Sequence, residues 1–134
     1  MDTGALLAEM RALRDSVAGI TDTALASRDG LIIAADTLTI DPDNLAALAA
    51  SALGVNQRIA AEAGHGSLRE TVVTGGGGHV VTYAVGHRAL LAVVGDPGLD
   101  LTRLFRESRA TLGNLEQLLS GAHPSNSGHP VAAD

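Results

Sequence analysis

Five histidines are the side chains of this sequence best suited to acid–base or metal chemistry, but their spacing fits neither use. No two are four residues apart, the spacing that places two ligands on one side of a helix, and no glutamate accompanies them as in a metalloprotease motif. Cysteine is absent, which removes thiolate nucleophiles, disulfides and cysteine-ligated metal sites. We therefore expect no metal site and no cofactor. The histidines are His65, His79, His87, His123 and His129.

The four glycines at residues 75–78 follow Val72, Val73 and Thr74, and the segment resembles the start of a phosphate-binding loop. Such a loop needs a helix next, and a lysine followed by serine or threonine. The chain has no lysine, since all nine basic residues are arginines, and residues 79–85 have a strand pattern. The glycines therefore predict the tip of a hairpin.

The carboxylates offer no catalytic pair. Asp41, Asp43 and Asp100 stand at the start of predicted helices, where a carboxylate caps free N–H groups, and Asp29 lies in a predicted turn. The residues around Ser67 lack the glycine spacing of a hydrolase nucleophile elbow. We predict a binding module and not an enzyme.

Length and composition predict one domain with an aliphatic core. The 134 residues are 46% hydrophobic and 18% charged, and only 1% are aromatic. The net charge of −6 argues against a surface that follows nucleic-acid phosphates, and base-stacking aromatics are nearly absent. The N-terminal residues lack a signal-peptide pattern, and no stretch is apolar enough to span a membrane, so we expect a cytoplasmic protein.

Hydrophobic periodicity and turn residues predict eight elements in the order α-β-β-α-β-β-β-α. Two hairpin signals make the predicted sheet largely antiparallel, with helices on one or both faces. The fold class is α+β, an α/β sandwich over residues 3–119, followed by a disordered tail at residues 120–134. The predicted helices are residues 3–17, 42–63 and 101–119, and the predicted strands are residues 23–27, 31–35, 68–74, 79–85 and 89–94.

The second predicted helix carries two neighbouring stripes, one of larger apolar residues and one of small residues. We interpret the first stripe as the side that faces the core. The second stripe would let another helix approach closely. The first stripe is Leu45, Leu48, Ala52, Val55 and Ile59, and the second is Ala47, Ala50, Ser51, Gly54 and Ala61.

Few charges interrupt this helix, although a helix on the outside of a monomer normally shows them. Arg58 is the only formal charge between Asn44 and Ala61. Gly54 costs about 1 kcal/mol of helix propensity relative to alanine, which a close packing contact would explain. We predict that the small-residue stripe is an interface with the same helix of a second copy. The alternative is a helix buried between the sheet and another element of the same chain.

Two segments resemble the signature of the Roadblock (dynein light-chain) family. The first is the predicted hairpin ALASRDGLIIA at residues 24–34. The second is LRETVV at residues 68–73, followed by the glycine turn and the strands VVTYAV and ALLAVV. The element order agrees with that family, and the resemblance covers residues 3–119.

The resemblance implies a profilin-like or longin-like Roadblock fold with a five-stranded antiparallel sheet. It implies a homodimer in which the second helices pack together and the third strands join two sheets. It also implies a protein without an active site that, like the bacterial MglB-like regulators, binds a small Ras-like GTPase and modulates its nucleotide cycle.

The same resemblance assigns the two surfaces to residues. The partner-binding surface would be Asn44, Ala47, Ser51, Arg58 and Glu62. We interpret Arg58 as pairing with Glu62, in solution or across the dimer, and not as an arginine finger. The dimer interface would be Ala47, Leu48, Ala50, Ser51, Gly54, Val55, Leu68, Glu70, Val72 and Thr74.

Two other functions stay open at this point. One is a scaffold that brings a sensor kinase and other signalling proteins together without changing GTP turnover. The other is a sensor domain with a pocket for a small ligand.

Overall fold

The structure, a computed structural model, describes residues 2–121 and has the eight elements in the predicted order. The predicted tail falls almost wholly outside the described residues. The helices are α1 (Thr3–Ser16), α2 (Pro42–Glu62) and α3 (Leu101–Leu119), and the strands are β1 (Ile20–Ser27), β2 (Ile32–Asp36), β3 (Glu70–Gly75), β4 (Gly78–Val85) and β5 (Ala89–Gly95).

The five strands form one antiparallel sheet in the order β2-β1-β5-β4-β3. The prediction of a five-stranded antiparallel sheet is therefore confirmed. The first and last strands in this order, β2 and β3, are the two edges. Each edge pairs on one side only, so its outward backbone N–H and C=O groups are free to pair with another strand.

The helices cover both faces of the sheet. α1 and α3 pack on one face over a core of large side chains, and α2 packs on the other face over a core rich in alanine. Asn114 of α3 donates to Glu9 of α1 at 3.1 Å, and Arg14 of α1 pairs with Asp36 of β2 at 2.6 Å. These polar contacts tie α1 to its neighbours on the first face.

Side-chain hydrogen bonds hold the two ends of α2. Before the helix, the buried Asp22 carboxylate accepts from the Leu38 N–H at 2.7 Å, and Asp41 caps the helix by accepting from the Asp43 N–H at 3.0 Å. Near its end, the Gln57 amide oxygen accepts from the Leu68 N–H at 2.8 Å. Both loops that connect α2 to the sheet are therefore anchored, which fixes the side of α2 that faces outward.

β1 begins at Ile20, three residues before the predicted start at residue 23. The sequence prediction leaves the polar residues Thr21 and Asp22 outside the strand, but each forms a side-chain hydrogen bond to a distant residue in the fold. The Thr21 hydroxyl donates to the Val94 carbonyl at 3.2 Å, and Asp22 holds Leu38. A polar residue with a tertiary partner is compatible with a buried strand.

Only one glycine of the four-glycine hairpin needs to be glycine. Gly78 has a φ of +145°, and a Cβ there would collide with the Gly95 carbonyl oxygen. Gly78→Ala should therefore lower the free energy of unfolding by about 3 kcal/mol, from backbone strain and overpacking. Urea unfolding followed by circular dichroism measures this change.

The matched control is Gly76→Ala, in the same hairpin. A Cβ at Gly76 meets nothing within 4 Å, and its φ is not positive. Its effect should stay below about 1 kcal/mol. Equal losses in the two variants would show that the hairpin geometry is wrong.

Candidate protein–protein interface

α2 faces the sheet mainly with small residues, and Leu53 is the one large side chain that is fully buried there. Ala46, Ala49 and Leu53 are buried against the sheet, whereas Leu48, Val55 and Ile59 are 72%, 58% and 58% exposed. The prediction that these three larger residues face the core is wrong. The other two members of that stripe, Leu45 and Ala52, are half-buried at its margin.

This orientation of α2 results from the short distance between the helix and the backbone of the sheet. On the sheet side, Ala26, Leu90 and Ala92 meet the alanines of α2. A Cβ on Gly30, in the turn between β1 and β2, would lie 3.0 Å from the Ala47 Cα and 3.3 Å from the Ala46 carbonyl oxygen. Except at Leu53, this gap has little room for a large side chain, so Leu48, Val55 and Ile59 point outward.

The outward residues of α2 form a surface that we call the α2 outer face. Its large apolar members lie along one side, and its small and polar members lie along the other. The small-residue stripe is thus at the surface, except for Ala50, which is half-buried beneath the turn at Gly30. The α2 outer face consists of Asn44, Ala47, Leu48, Ser51, Gly54, Val55, Arg58, Ile59 and Glu62, all of them exposed.

The edge strand β3 adds apolar surface on both faces of the sheet. Val73 pairs with Val80 and lies on the α2 side, where it is 58% exposed. Val72 pairs with Val81, whose side chain is in the α1–α3 core, and is 44% exposed on that side. Sequence reasoning missed Val73, although the alternation of strand residues would have placed it on the face opposite to Val72.

The predicted dimer residues of the third strand divide between the two faces. Leu68 is half-buried against the α2-side core. Glu70 and Thr74 share the α1–α3 side with Val72, and the Thr74 hydroxyl is hydrogen-bonded to His79 Nδ1 at 3.0 Å. The predicted set therefore divides between α2, with the half-buried Leu68 beside it, and the opposite face of the β3 edge.

Arg58 and Glu62 flank a shallow depression of about 530 Å³ on the last turns of α2, together with Val55, Ile59 and Ala63. The two side chains do not form an ion pair within the single chain as far as residues 2–121 are concerned. Their pairing across a dimer stays a prediction.

A second concavity lies on the other face of the sheet, between α3 and the start of β3; we call it the α3 groove. It has a volume of about 420 Å³. Tyr83 and Phe105, the only aromatic residues of the chain, meet there edge to face with centroids 6.5 Å apart. The groove is lined by Leu68, Arg69, Glu70, Tyr83, Ala84, Phe105, Ser108, Arg109 and Leu112.

The described part of the chain holds no group of three or more histidines, aspartates or glutamates that are close enough to bind a metal ion. None of the three helices in residues 2–121 is long and apolar enough to cross a membrane.

The fold defines a three-layer α+β sandwich in which one helix covers one face of an antiparallel sheet and two helices cover the other. Comparison with models of protein families assigns this sandwich to one family. The chain belongs to the Roadblock/LC7 domain family, whose model matches residues 6–95. The resemblance read from the two sequence segments is thereby confirmed.

Individual proteins and solved structures are also similar to this chain. Two uncharacterised proteins of Methanocaldococcus jannaschii are each 32% identical over 84 residues, which is 62% of this chain and 73% of theirs. A Roadblock/LC7 domain from Streptomyces avermitilis superposes with a TM-score of 0.78 at 24% identity and covers 84% of this chain and 95% of its own. The gliding protein MglB from Thermus thermophilus superposes with a TM-score of 0.81 at 19% identity over 90% and 92% of the two chains.

Tyr83 provides a direct measure of burial in the α3 groove. Burial raises the pKa of its phenol from 10.0 to about 12, although the hydrogen bond from Ser108, at 3.0 Å, acts in the opposite direction. Because the chain has one tyrosine and no tryptophan, the ultraviolet absorbance of tyrosinate reports this group alone. We expect a spectrophotometric midpoint near pH 12 in the folded protein and near 10 in urea.

The same shift makes stability depend on alkaline pH. Because the pKa is raised on folding, the phenol's contribution is complete below about pH 10 and is lost as the pH rises toward 12. A folded-state midpoint near pH 10 would mean that Tyr83 is open to solvent, contrary to this description of the groove.

Proposed function

We propose that this protein is a non-enzymatic homodimeric regulator that binds a small Ras-like GTPase in the cytoplasm and modulates its nucleotide cycle. The observation that carries the proposal is the α2 outer face, where Leu48, Val55 and Ile59 are each more than half exposed. An apolar surface of this kind on a folded domain marks an interaction site. Membership in the Roadblock/LC7 family and the likeness in fold to MglB support this proposal.

The first step of the proposal is a two-fold contact between α2 helices. Gly54, Ala47 and Ser51 are exposed and small, so two helix backbones can approach closely along them. Leu48 and Val55 lie beside them and would be buried at the seam. In an isologous dimer the same patch serves both copies, which suits a surface that is apolar along one side of the helix.

The β3 edge gives the second copy another place to bind. Its outward backbone groups have no strand partner among the described residues, and Val72 and Val73 are exposed on its two faces. Pairing of β3 with its copy would satisfy the backbone groups and shield the valines. Leu68, Glu70 and Thr74 would belong to this contact, at the start and end of the same strand.

The second step is binding of the GTPase to the polar part of the α2 outer face. After dimerisation, Asn44, Arg58 and Glu62 would still be available, and Ala47 and Ser51 would lie where the two surfaces meet. Two copies of this set form a platform. A platform that binds one switch conformation more tightly shifts the nucleotide cycle by that difference in affinity, typically about 1–3 kcal/mol, without any catalytic side chain.

Affinity capture from the native organism's lysate, in parallel with GDP and with a non-hydrolysable GTP analogue, tests the proposed function. Enrichment of a small GTPase in one nucleotide state would support a regulator that distinguishes switch conformations. Retention of a sensor kinase, or of the protein alone, in both states would favour the scaffold. A bound metabolite in native mass spectrometry would favour the small-ligand sensor.

Gly54→Leu tests the dimer seam. A Cβ at Gly54 meets nothing within 4 Å in the single chain, so leucine fits there and adds about 1 kcal/mol of helix propensity. We expect a folded monomer with an unchanged helical circular dichroism spectrum, and twice the 13.5 kDa chain mass for the wild type. Light scattering after size-exclusion chromatography measures both masses.

Gly54→Ala is the matched control, because it makes most of the same change in helix propensity and adds only a methyl group. The solution mass of Gly54→Ala should therefore stay closer to the dimeric mass of the wild type than that of Gly54→Leu does. A Gly54→Leu protein that remains dimeric would show that the seam lies elsewhere.

Arg58→Glu tests the partner surface once the GTPase is identified. Reversing one exposed charge in a polar contact should weaken binding about tenfold while the protein remains a dimer. Arg88→Glu makes the same change of charge in the turn between β4 and β5 and should bind as the wild type does. Isothermal titration calorimetry compares the three proteins, and equal affinities would remove Arg58 from the contact.

A further inference from the structure

The α3 groove opens at the edge of the sheet, on the face that α2 does not cover. One wall is a face of α3, where Phe105, Ser108 and Leu112 follow at helical spacing. The other wall is formed by the chain entering β3 and by Tyr83 and Ala84 of β4. β3 is the edge strand of the described chain, so in the single chain this side of the groove is open. In the proposed dimer β3 of the second copy would lie there, and the α3 wall would stay accessible.

The groove and its rim are basic, although the chain as a whole carries a net charge of −6. Arg69 and Arg109 are among the lining residues, and Arg106 joins Arg109 in an adjoining depression of about 400 Å³ on α3. None of these three arginines lies within 4.0 Å of a carboxylate in residues 2–121. Three neighbouring positive charges on an acidic protein are complementary to an acidic partner.

One carboxylate opposes these charges. Glu70 also lines the groove, at the β3 side, so the lining has two positive charges against one negative charge. Arg109 and Arg106 are both on α3, opposite Glu70. An acidic ligand would therefore bind along α3 and keep its carboxylates away from Glu70.

The floor of the groove is suited to an apolar anchor. It brings together the only two aromatic residues of the chain, with Leu112 beside them. Ser108 is hydrogen-bonded to the Tyr83 hydroxyl at 3.0 Å, so the polar atoms of the floor already have a partner. Val72, 44% exposed on the same face two residues after Glu70, continues the apolar surface toward the edge of the sheet.

From this charge pattern and floor we infer that the α3 groove binds an acidic segment of a partner protein, anchored by one or two aromatic or aliphatic side chains. The inference does not depend on the α2 contact, because the groove and the α2 outer face lie on opposite faces of the sheet. The groove shares Leu68 and Glu70 with the proposed β3 contact, so in the dimer the acidic segment would bind along α3, on the side of the groove away from β3. A regulator with both surfaces would hold a GTPase on one face and a second protein on the other.

Selection from a random twelve-residue peptide library on the immobilised full chain tests the inference. The enriched peptides should contain more aspartate and glutamate than lysine and arginine, together with leucine or an aromatic residue. Synthetic copies should shift the amide resonances of Tyr83, Ser108 and Arg109 in the nitrogen-15 spectrum. Their affinity should fall as salt is added, since the contacts are charged.

Three charge reversals decide whether the bound peptide occupies the groove. Arg69→Glu and Arg109→Glu should each weaken binding about tenfold, because the altered side chain then repels the peptide. Arg88→Glu, an exposed arginine of the β4–β5 turn, is the control and should bind the peptide as the wild type does.

Several results would overturn the inference: no enriched peptide, enriched peptides that are neutral or basic, or equal binding by Arg109→Glu and the wild type. A change in the oligomeric state of Arg109→Glu would also overturn it, because the groove would then be a contact between copies. Binding of the GTPase is measured separately on each variant, so that failure here and failure of the proposed function remain distinguishable.

Discussion

The close approach of α2 to the sheet is the constraint on which the rest of this account depends. Alanines of the helix meet alanines of β1 and β5, and the turn at Gly30 approaches the helix backbone itself. Side chains larger than a methyl group fit in that gap at few positions. Apart from Leu53, most larger residues of the helix therefore point away from the sheet, and Leu48, Val55 and Ile59 are exposed. A core rich in small residues on one side of α2 thus leaves large apolar residues exposed on the other side.

The two faces of the sheet are built differently, and this difference separates two kinds of surface. On the α1–α3 face, large aliphatic side chains fill the core, and polar contacts such as Asn114 to Glu9 tie the two helices together. That face keeps a half-open groove beside β3, with arginines at its rim. On the α2 face, one helix is anchored at both ends and its outer surface is apolar along one side and polar along the other. We propose that the α2 outer face binds α2 of a second copy and that the α3 groove binds an acidic segment of another protein.

Much of the fold followed from periodicity and turn chemistry, whereas the orientation of α2 did not. The eight elements, the hairpin at the glycine run and the antiparallel sheet were predictable because strands and turns carry strong local signals. The inward face of α2 was predicted wrongly, since hydrophobicity favours Leu48 and Val55 over Ala46 and Ala49. The distance between helix and sheet decides that choice, and it depends on Gly30 and Ala92, residues distant in sequence. The α3 groove could not be predicted from the sequence either, because its lining residues come from three elements that only the folded chain brings together.

The central claim, that a second copy covers the exposed apolar residues of α2, is tested most directly by isotope-filtered nuclear Overhauser spectroscopy. The sample is an equal mixture of carbon-13-labelled and unlabelled protein, so that only contacts between copies give signals. The account predicts such signals from the methyl groups of Leu48 and Val55 to α2 of the other copy. Intermolecular signals confined to other surfaces, or none at all from these methyl groups in a protein that is dimeric, would contradict it.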